Sequence, residues 1–195
     1  MIPFDQPPVD GQTFAEALAA TVSRAGDHDA LVFPALGYRR SYRELWAEVR
    51  TTAWALLALG VQPGEHVGIW ATNCPEWVVT QLAAAQMGAV LVNINPAYRA
   101  NELQYVLNQA DIATLLLTDQ FKTSQYFDLL AEVCPEMNTA TPGELRSAAC
   151  PALRRIISLK AAKRSGMLNW DEFRAGADRV SGAELERLQR QTRPE

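Results

Sequence analysis

The chain has 195 residues, of which 48% are apolar and 21% charged, a composition that excludes disordered and collagen-like classes. Its net charge of −4 provides no general basic surface for nucleic acid or anionic lipid. Residues 154–195 are richer in basic side chains, but acidic ones are interleaved with them as on a solvated helical face, so we expect no nucleic-acid partner.

The first elements predicted along the chain are a helix and a hairpin. Thr13 and Glu16 have the spacing of a capping box, which predicts a helix that ends near Gly26. The following stretch, ALVFPALGYRRSY, contains two β-favouring pieces separated by a Pro and Gly turn at 34–37. This pattern is typical of a β-hairpin.

A longer helix is predicted after the hairpin. Ser41 and Glu44 repeat the capping-box spacing, and Gly60 supplies a carboxyl-terminal stop. Between them the apolar positions advance by three and four residues, as on one face of a helix. These positions are Leu45, Val49, Thr52, Leu56 and Leu59.

Strands and helices alternate through the middle of the chain. HVGIW, AVLVNI and IATLLLT are apolar at consecutive positions, as strands buried on both faces of a parallel sheet are, and RRIISLK predicts a fourth strand. We therefore predict an α/β fold with a mostly parallel sheet and helices on both faces. The predicted strands are 66–71, 89–94, 112–118 and 154–159, and the predicted helices are 75–87, 99–110 and 121–133.

The pattern weakens toward the carboxyl end. Residues 134–151 predict a connector with a short helix at 142–148, and WDEF (170–173) predicts one helical turn. We treat 1–195 as one incomplete α/β domain whose residues 161–195 form a weakly patterned tail. From about Ser165 onward we expect mobility, because few apolar residues are present to offset the ~1 to 2 kcal/mol per residue that backbone ordering costs.

Several features bear on location. The stretch MIPFDQPPVDGQ lacks the basic and apolar regions of a secretory signal, and no apolar run approaches the ~18 residues that span a bilayer. The three cysteines are odd in number and lack CxxC spacing, which argues against a disulfide framework or a zinc site. We therefore expect a cytoplasmic protein without a transmembrane segment.

The usual phosphate-binding loops are absent. The sequence contains neither G-x-x-x-x-G-K-[ST] nor G-x-G-x-x-G, and the turn after the first sheet strand, ATNCPEW, has no glycine. The two histidines are isolated from each other, so no metal-ligand set is apparent. We expect no cofactor and no metal for this chain alone.

Two further patterns invite a functional interpretation that we do not favour. Cys74 precedes a helix, but His66 begins the strand before it, and about five strand residues separate the pair by some 15 Å. We interpret Cys74 as a structural thiol. Trp46, Trp70 and Trp77 each fall inside a predicted core element, so we interpret them as packing residues rather than as a stacking surface for ligands.

The segment NINPAYR (93–99) offers the best candidates for a ligand contact. It follows a buried strand at its carboxyl end, where open α/β sheets place ligands, and it presents Asn93, Asn95, Tyr98 and Arg99. The alternative is a rigid strand-to-helix turn in which Asn95 and the following proline fix the backbone and Arg99 caps a carbonyl. The sequence leaves both interpretations open.

Three segments resemble a known family. They are SYREL (41–45), the run from GVQPGEHVGIWATNCPEW to VNINPAYRANELQYVL (60–107), and FKTSQYFDLL (121–130). Together they resemble the amino-terminal region of AMP-forming acyl-CoA synthetases, most closely the medium- to long-chain fatty-acid CoA ligases. The resemblance covers about residues 10–190 and implies part of the large amino-terminal domain of that fold.

The resemblance implies adenylation of a fatty acid with ATP and Mg²⁺, followed by transfer of the acyl group to CoA. The family's phosphate loop, spelled like TSGTTGxPKG, its ribose-binding Asp and its catalytic Lys have no counterparts here, so no catalytic residue is assigned. The resemblance implies that fatty acid, ATP and CoA are bound only by a full-length enzyme.

Two hypotheses remain open for the whole chain. One is the amino-terminal portion of an acyl-CoA ligase, truncated before the phosphate loop and inactive alone. The other is a non-catalytic α/β interaction or oligomerisation module. In either case we expect the remainder of a ligase, or self-association, to cover faces that the chain leaves unpartnered. A downstream reading frame with a TSGTTG-like segment would favour the first hypothesis.

Overall fold

The amino-terminal part packs two capped helices around a hairpin. The computed structural model describes residues 12–180 and residue 187. Helix α1 (Phe14–Ala25) precedes strands β1 (Asp29–Phe33) and β2 (Tyr38–Ser41), which pair antiparallel around a short 3₁₀ turn. Helix α2 (Tyr42–Ala58) follows directly. The predicted capping boxes at Thr13 and Ser41 are both present, and so is the predicted hairpin.

A five-stranded sheet forms the centre of the molecule. Its strands are β3 (His66–Trp70), β4 (Val90–Asn93), β5 (Ile112–Leu117), β8 (Arg155–Ser158) and β9 (Met167–Asn169). They lie in the order β4-β3-β5-β8-β9, and every neighbouring pair is parallel. The predicted parallel α/β fold is therefore confirmed.

Helices cover both faces of this sheet. Helices α3 (Pro75–Gln86) and α6 (Trp170–Ala175) pack with α2 on one face, and α4 (Ala100–Gln109) and α5 (Tyr126–Val133) pack on the other. Successive residues of a strand point to opposite faces, so Ile69 joins the first core cluster and Trp70 the second. The sheet thus separates two apolar layers, which accounts for the consecutive apolar residues in its strands.

Arg155, at the amino-terminal edge of the sheet, makes an ion pair and several hydrogen bonds. The guanidinium of Arg155, 8% exposed, donates to the carbonyls of Leu59 (2.9 Å) and Gly60 (2.6 Å). It also donates to Glu65 Oε2 (3.1 Å) and to the hydroxyl of Thr114 (3.3 Å). These contacts link β8, which begins with Arg155, to the carboxyl end of α2.

Two local predictions differ from the structure, and one strand was not predicted. Residues 142–148 form no helix, because two turns carry the chain back to pair with the approach to β8. The helix predicted over 121–133 begins only at Tyr126, after a two-stranded hairpin of β6 (Gln120–Phe121) and β7 (Ser124–Gln125). Strand β9, which extends the sheet by parallel pairing with β8, was not predicted.

The helix predicted near the carboxyl terminus lies outside the described residues, Arg187 excepted. The mobility expected from Ser165 onward stays a prediction. Residues 167–180 form β9, α6 and a short 3₁₀ segment, so the predicted helical turn at WDEF is confirmed. Across the part of the chain that the structure describes, no helix is both long and apolar enough to cross a membrane.

Candidate functional site

The strand order locates the crevice in which an α/β sheet binds ligands. After β3 the chain moves outward to β4 and then crosses back past β3 to β5, so the direction of winding reverses between β3 and β5. Ligands of such sheets bind outside the carboxyl ends of the strands at this reversal. The loops 71–74 and 118–119 border it, and the loop 94–99 lies beside it at the end of β4.

Two stacked aromatic rings hold the loop 94–99. The rings of Trp70 and Tyr126 are parallel within 4° with centroids 3.6 Å apart. The Trp70 indole N–H donates to the carbonyl of Asn95 (3.1 Å), and the Tyr126 hydroxyl donates to the carbonyl of Pro96 (2.6 Å). Both rings are fully buried. The interpretation of Trp70 as a packing residue is confirmed. The two hydrogen bonds from the buried rings hold the backbone of the loop 94–99 in place.

The four candidate residues are neighbours, but their side chains have different surroundings. Asn93 is exposed at the end of edge strand β4. The side-chain oxygen of Asn95 accepts a hydrogen bond from the Ala97 N–H (2.9 Å), so this side chain stabilises the turn in which it lies. Arg99 is exposed at the start of α4, where its backbone N–H donates to Glu102 (3.1 Å).

Tyr98 is the candidate that faces an open volume. It is half-buried against the core on the α4 side and lines a shallow cavity of 240 Å³ together with Asn101, Glu102 and Tyr105. Asn95 does not line this cavity. The structure therefore assigns Asn95 to a structural role in its own turn and leaves Asn93, Tyr98 and Arg99 at the surface. Ligand binding by any of the four stays a prediction.

Acidic side chains lie in the first turns of the helices that begin at the carboxyl edge of the sheet. The amino terminus of a helix attracts anions, but each helix that begins at this edge already carries a carboxylate in its first turn. The acids are Glu76 in α3, Glu102 in α4, Asp128 in α5, and Asp171 and Glu172 in α6. No loop following β3, β4 or β5 contains a glycine that would let a phosphate approach the backbone.

The loop 159–166 brings basic side chains to these acids. Lys160 lies 3.7 Å from Glu76, Lys163 donates to Glu172 (2.6 Å), and Arg164 pairs with Asp128. The cations of this loop are therefore engaged by carboxylates of the helices around it. This arrangement and the Trp70 and Tyr126 stack were not predicted, because both join segments far apart in sequence.

Cys74 is placed as the sequence predicts. His66 opens β3, whereas Cys74 follows the opposite end of that strand, and the His66 ring hydrogen-bonds the carbonyl of Ala110. Burial, together with the nearby carboxylate of Glu76, raises the pKa of Cys74 to about 11. A thiol with that pKa is protonated at neutral pH and is a weak nucleophile. Within residues 12–180, no group of three His, Cys, Asp or Glu side chains is arranged to hold a metal ion.

Comparison with known proteins gives one consistent result. A family model described as AMP-binding enzyme matches residues 18–184. The medium-chain acyl-CoA ligase ACSF2, mitochondrial, of Mus musculus is 40% identical over 178 residues, which are 91% of this chain and 29% of that relative. The protein of the same name from Danio rerio is 35% identical over 170 residues, with 87% and 28% covered.

Solved structures agree on the fold. The anthranilate CoA ligase AuaEII, in complex with anthranoyl-AMP, superposes with a TM-score of 0.67 at 20% identity over 88% of this chain and 28% of that one. The N-terminal domain of FACL13 from Mycobacterium tuberculosis gives 0.66 at 17% identity, with 87% and 36% covered. The chain spans about three tenths of the length of the relatives ACSF2 and AuaEII.

Proposed function

Because this chain belongs to the AMP-binding enzyme family, we propose that it is the amino-terminal portion of an acyl-CoA ligase acting on medium- or long-chain fatty acids. In the complete ligase the acid would be joined to AMP from ATP with release of pyrophosphate, and the acyl group would then pass to the CoA thiol. The role proposed for this portion is to provide scaffold: a rigid parallel sheet against which the rest of the ligase packs.

The carboxylates at the helix amino termini carry the second half of the proposal, that this portion alone does not adenylate. Adenylation depends on groups that stabilise the charge of the transferring phosphates. Here the first turns of α3, α4 and α5 contain Glu76, Glu102 and Asp128, and the nearby cations Lys160 and Arg164 already pair with carboxylates. ATP and Mg²⁺ therefore require groups supplied by the rest of the ligase, as does CoA.

The partner proposed for this chain is that rest of the ligase. Large apolar side chains are exposed at separate places on the surface, among them Val90 on edge strand β4 and Tyr105 on α4. An edge strand with unpaired backbone groups favours addition of a further strand. In the absence of the ligase remainder we expect self-association of the isolated chain, detectable by light scattering after size exclusion. A monomer at all concentrations would contradict this part of the proposal.

We also propose that the protein is located in the cytoplasm. The three cysteines are free and buried, as expected of a protein from a reducing cytoplasm. The relatives from Mus musculus and Danio rerio carry the word mitochondrial in their names. Fractionation of the source cells, with the chain detected by antibody, would distinguish the two locations.

A hybrid enzyme tests whether this chain is a ligase portion. The chain replaces the matched amino-terminal region of the Mus musculus ligase, and formation of CoA thioester from a medium-chain fatty acid is measured with ATP and Mg²⁺. We expect activity from the hybrid and none from a control that lacks the region altogether. A hybrid that is folded by circular dichroism and binds ATP but forms no thioester would contradict the proposal.

A further inference from the structure

The loop 159–166, which connects the parallel strands β8 and β9, carries three basic side chains at the carboxyl edge of the sheet. Its first and last residues, Leu159 and Gly166, are buried, whereas residues 161–165 are all exposed. No residue from 160 to 165 belongs to either apolar core cluster. Polar and charged contacts therefore hold the middle part of this loop in place.

Both ends of the loop are anchored to the body of the protein. At the end of β8, the hydroxyl of the buried Ser158 donates to the carbonyl of Ala162 (2.5 Å). At the start of β9, Gly166 has a φ of 74° and lies so close to the Met137 carbonyl that a Cβ at this position would clash with it. The ends of the loop are therefore fixed independently of its charged side chains.

The middle part of the loop makes one ion pair with each of three helices. The pairs are Lys160–Glu76 with α3 (3.7 Å), Lys163–Glu172 with α6 (2.6 Å), and Arg164–Asp128 with α5. Helices α3 and α6 cover one face of the sheet and α5 covers the other. In addition, α3 is the next helix after β3 and α5 the next after β5, the two strands between which the winding reverses. The ion pairs therefore link the two sides of the crevice at this reversal.

We propose that the loop 159–166 is a strap: its ion pairs close the crevice between β3 and β5, and screening of these pairs by salt opens it. Each pair is partly exposed to solvent, and exposed pairs are individually weak and lose strength as ionic strength rises. On opening, residues 160–165 leave the three helices while the anchored ends keep their places. Ionic strength thus controls access to the candidate site. The inference rests on contacts within this chain and is independent of the proposed ligase function.

Cys74 provides a natural reporter for the crevice side of the loop. It is the residue that precedes the first turn of α3, and Glu76, which pairs with Lys160, lies within that turn. Cys74 is 6% exposed and belongs to the same buried cluster as Leu159, the first residue of the loop. Opening of the loop removes the Lys160 side chain from this turn. We therefore expect the Cys74 thiol to become more accessible whenever the loop opens.

The first test uses the wild-type chain and raises NaCl from about 0.1 M to about 1 M, which shortens the screening length from about 10 Å to about 3 Å. We expect amide exchange of residues 160–165 to accelerate by about twofold or more, and alkylation of Cys74 by uncharged iodoacetamide to accelerate with it. The matched control is the loop 94–99 at the same edge, which neutral hydrogen bonds hold and whose exchange should not change. Equal acceleration in both loops, or none at 160–165, would overturn the proposal. So would a Cys74 alkylation rate that stays constant while the loop opens.

Replacements in the pair with α5 test the ion pairs themselves at low salt. Arg164→Gln and Asp128→Asn should each accelerate exchange of residues 160–165 by a factor of about 1.4 to 5, and the double replacement no further, because either one removes the same pair. Exchanging the charges, with Arg164→Asp and Asp128→Arg together, should restore slow exchange. Arg39→Gln, in an exposed pair on the hairpin, should leave this loop unchanged. Additive effects of the two single replacements, or no restoration by the exchanged charges, would contradict the proposal, and the salt titration of the wild-type chain decides it without any variant.

Discussion

Tyr126→Phe is expected to loosen the loop that borders the candidate site while preserving the core around it. The phenylalanine ring retains the stack on Trp70, whose centroid lies 3.6 Å away. Only the hydroxyl is lost, and with it the 2.6 Å hydrogen bond to the carbonyl of Pro96. The replacement therefore removes a single hydrogen bond from a side chain that is 0% exposed.

The magnitude follows from that burial. A typical intramolecular hydrogen bond contributes about 0.5–1.5 kcal/mol net, and a buried acceptor left without its donor costs about 1–3 kcal/mol. We expect Tyr126→Phe to lower the free energy of unfolding by about 1–2 kcal/mol. Because the bond holds the loop 94–99, amide exchange of Ala97 and Tyr98 should accelerate more than exchange within α2.

Urea unfolding followed by tryptophan fluorescence, together with hydrogen exchange, measures both effects. The matched control is Tyr105→Phe, the same replacement at a side chain that is 68% exposed, which should change the free energy of unfolding by less than about 0.5 kcal/mol. Equal effects of the two replacements, or unchanged exchange of Ala97 in Tyr126→Phe, would refute the conclusion that this bond fixes the loop.

Two further predictions concern ionisable groups. Arg155→Met should lower the free energy of unfolding by about 1–3 kcal/mol, because it removes a buried guanidinium that donates to the carbonyls of Leu59 and Gly60, while Glu65 keeps a second ion pair. Arg39→Met in an exposed pair should cost less than about 1 kcal/mol, and comparable urea midpoints for the two variants would contradict this difference. Burial raises the pKa of Tyr126 from 10.0 to about 12, so this tyrosine ionises at lower pH in the unfolded chain than in the folded one. Its stabilisation of the folded state is therefore complete below pH 10 and is lost as pH rises toward 12. The stability difference between wild type and Tyr126→Phe should therefore narrow over that range in urea titrations, and a widening would contradict the sign.

Local signals predicted most of the fold. The capping boxes that begin with Thr13 and Ser41 depend on residues three positions apart, and the consecutive apolar positions of β3, β4 and β5 follow from burial on both faces. Strand β9 was missed because it has three residues and depends on pairing with β8 for its hydrogen bonds. The prediction of a helix over 142–148 was wrong, because the Leu145 N–H donates to the carbonyl of Arg154 across two turns rather than to a helical partner.

The candidate site could be predicted only in outline. The position of NINPAYR at the carboxyl end of a strand correctly placed Asn93, Asn95, Tyr98 and Arg99 at the edge of the sheet. The sequence could not show that Asn95 is engaged in its own turn or that Tyr126, 28 positions after Tyr98, fixes the loop. Such contacts depend on tertiary packing, which single-sequence patterns do not contain.

The measurement that tests the central claim most directly is pyrophosphate exchange by the isolated chain. Radiolabelled pyrophosphate, ATP, Mg²⁺ and a medium-chain fatty acid are incubated with the protein, and label incorporated into ATP is counted. Since the sequence contains no glycine-rich loop to stabilise the transferring phosphates, we predict exchange no higher than in a reaction without protein. Fatty-acid-dependent exchange above that background, abolished by replacements within this chain, would contradict the account.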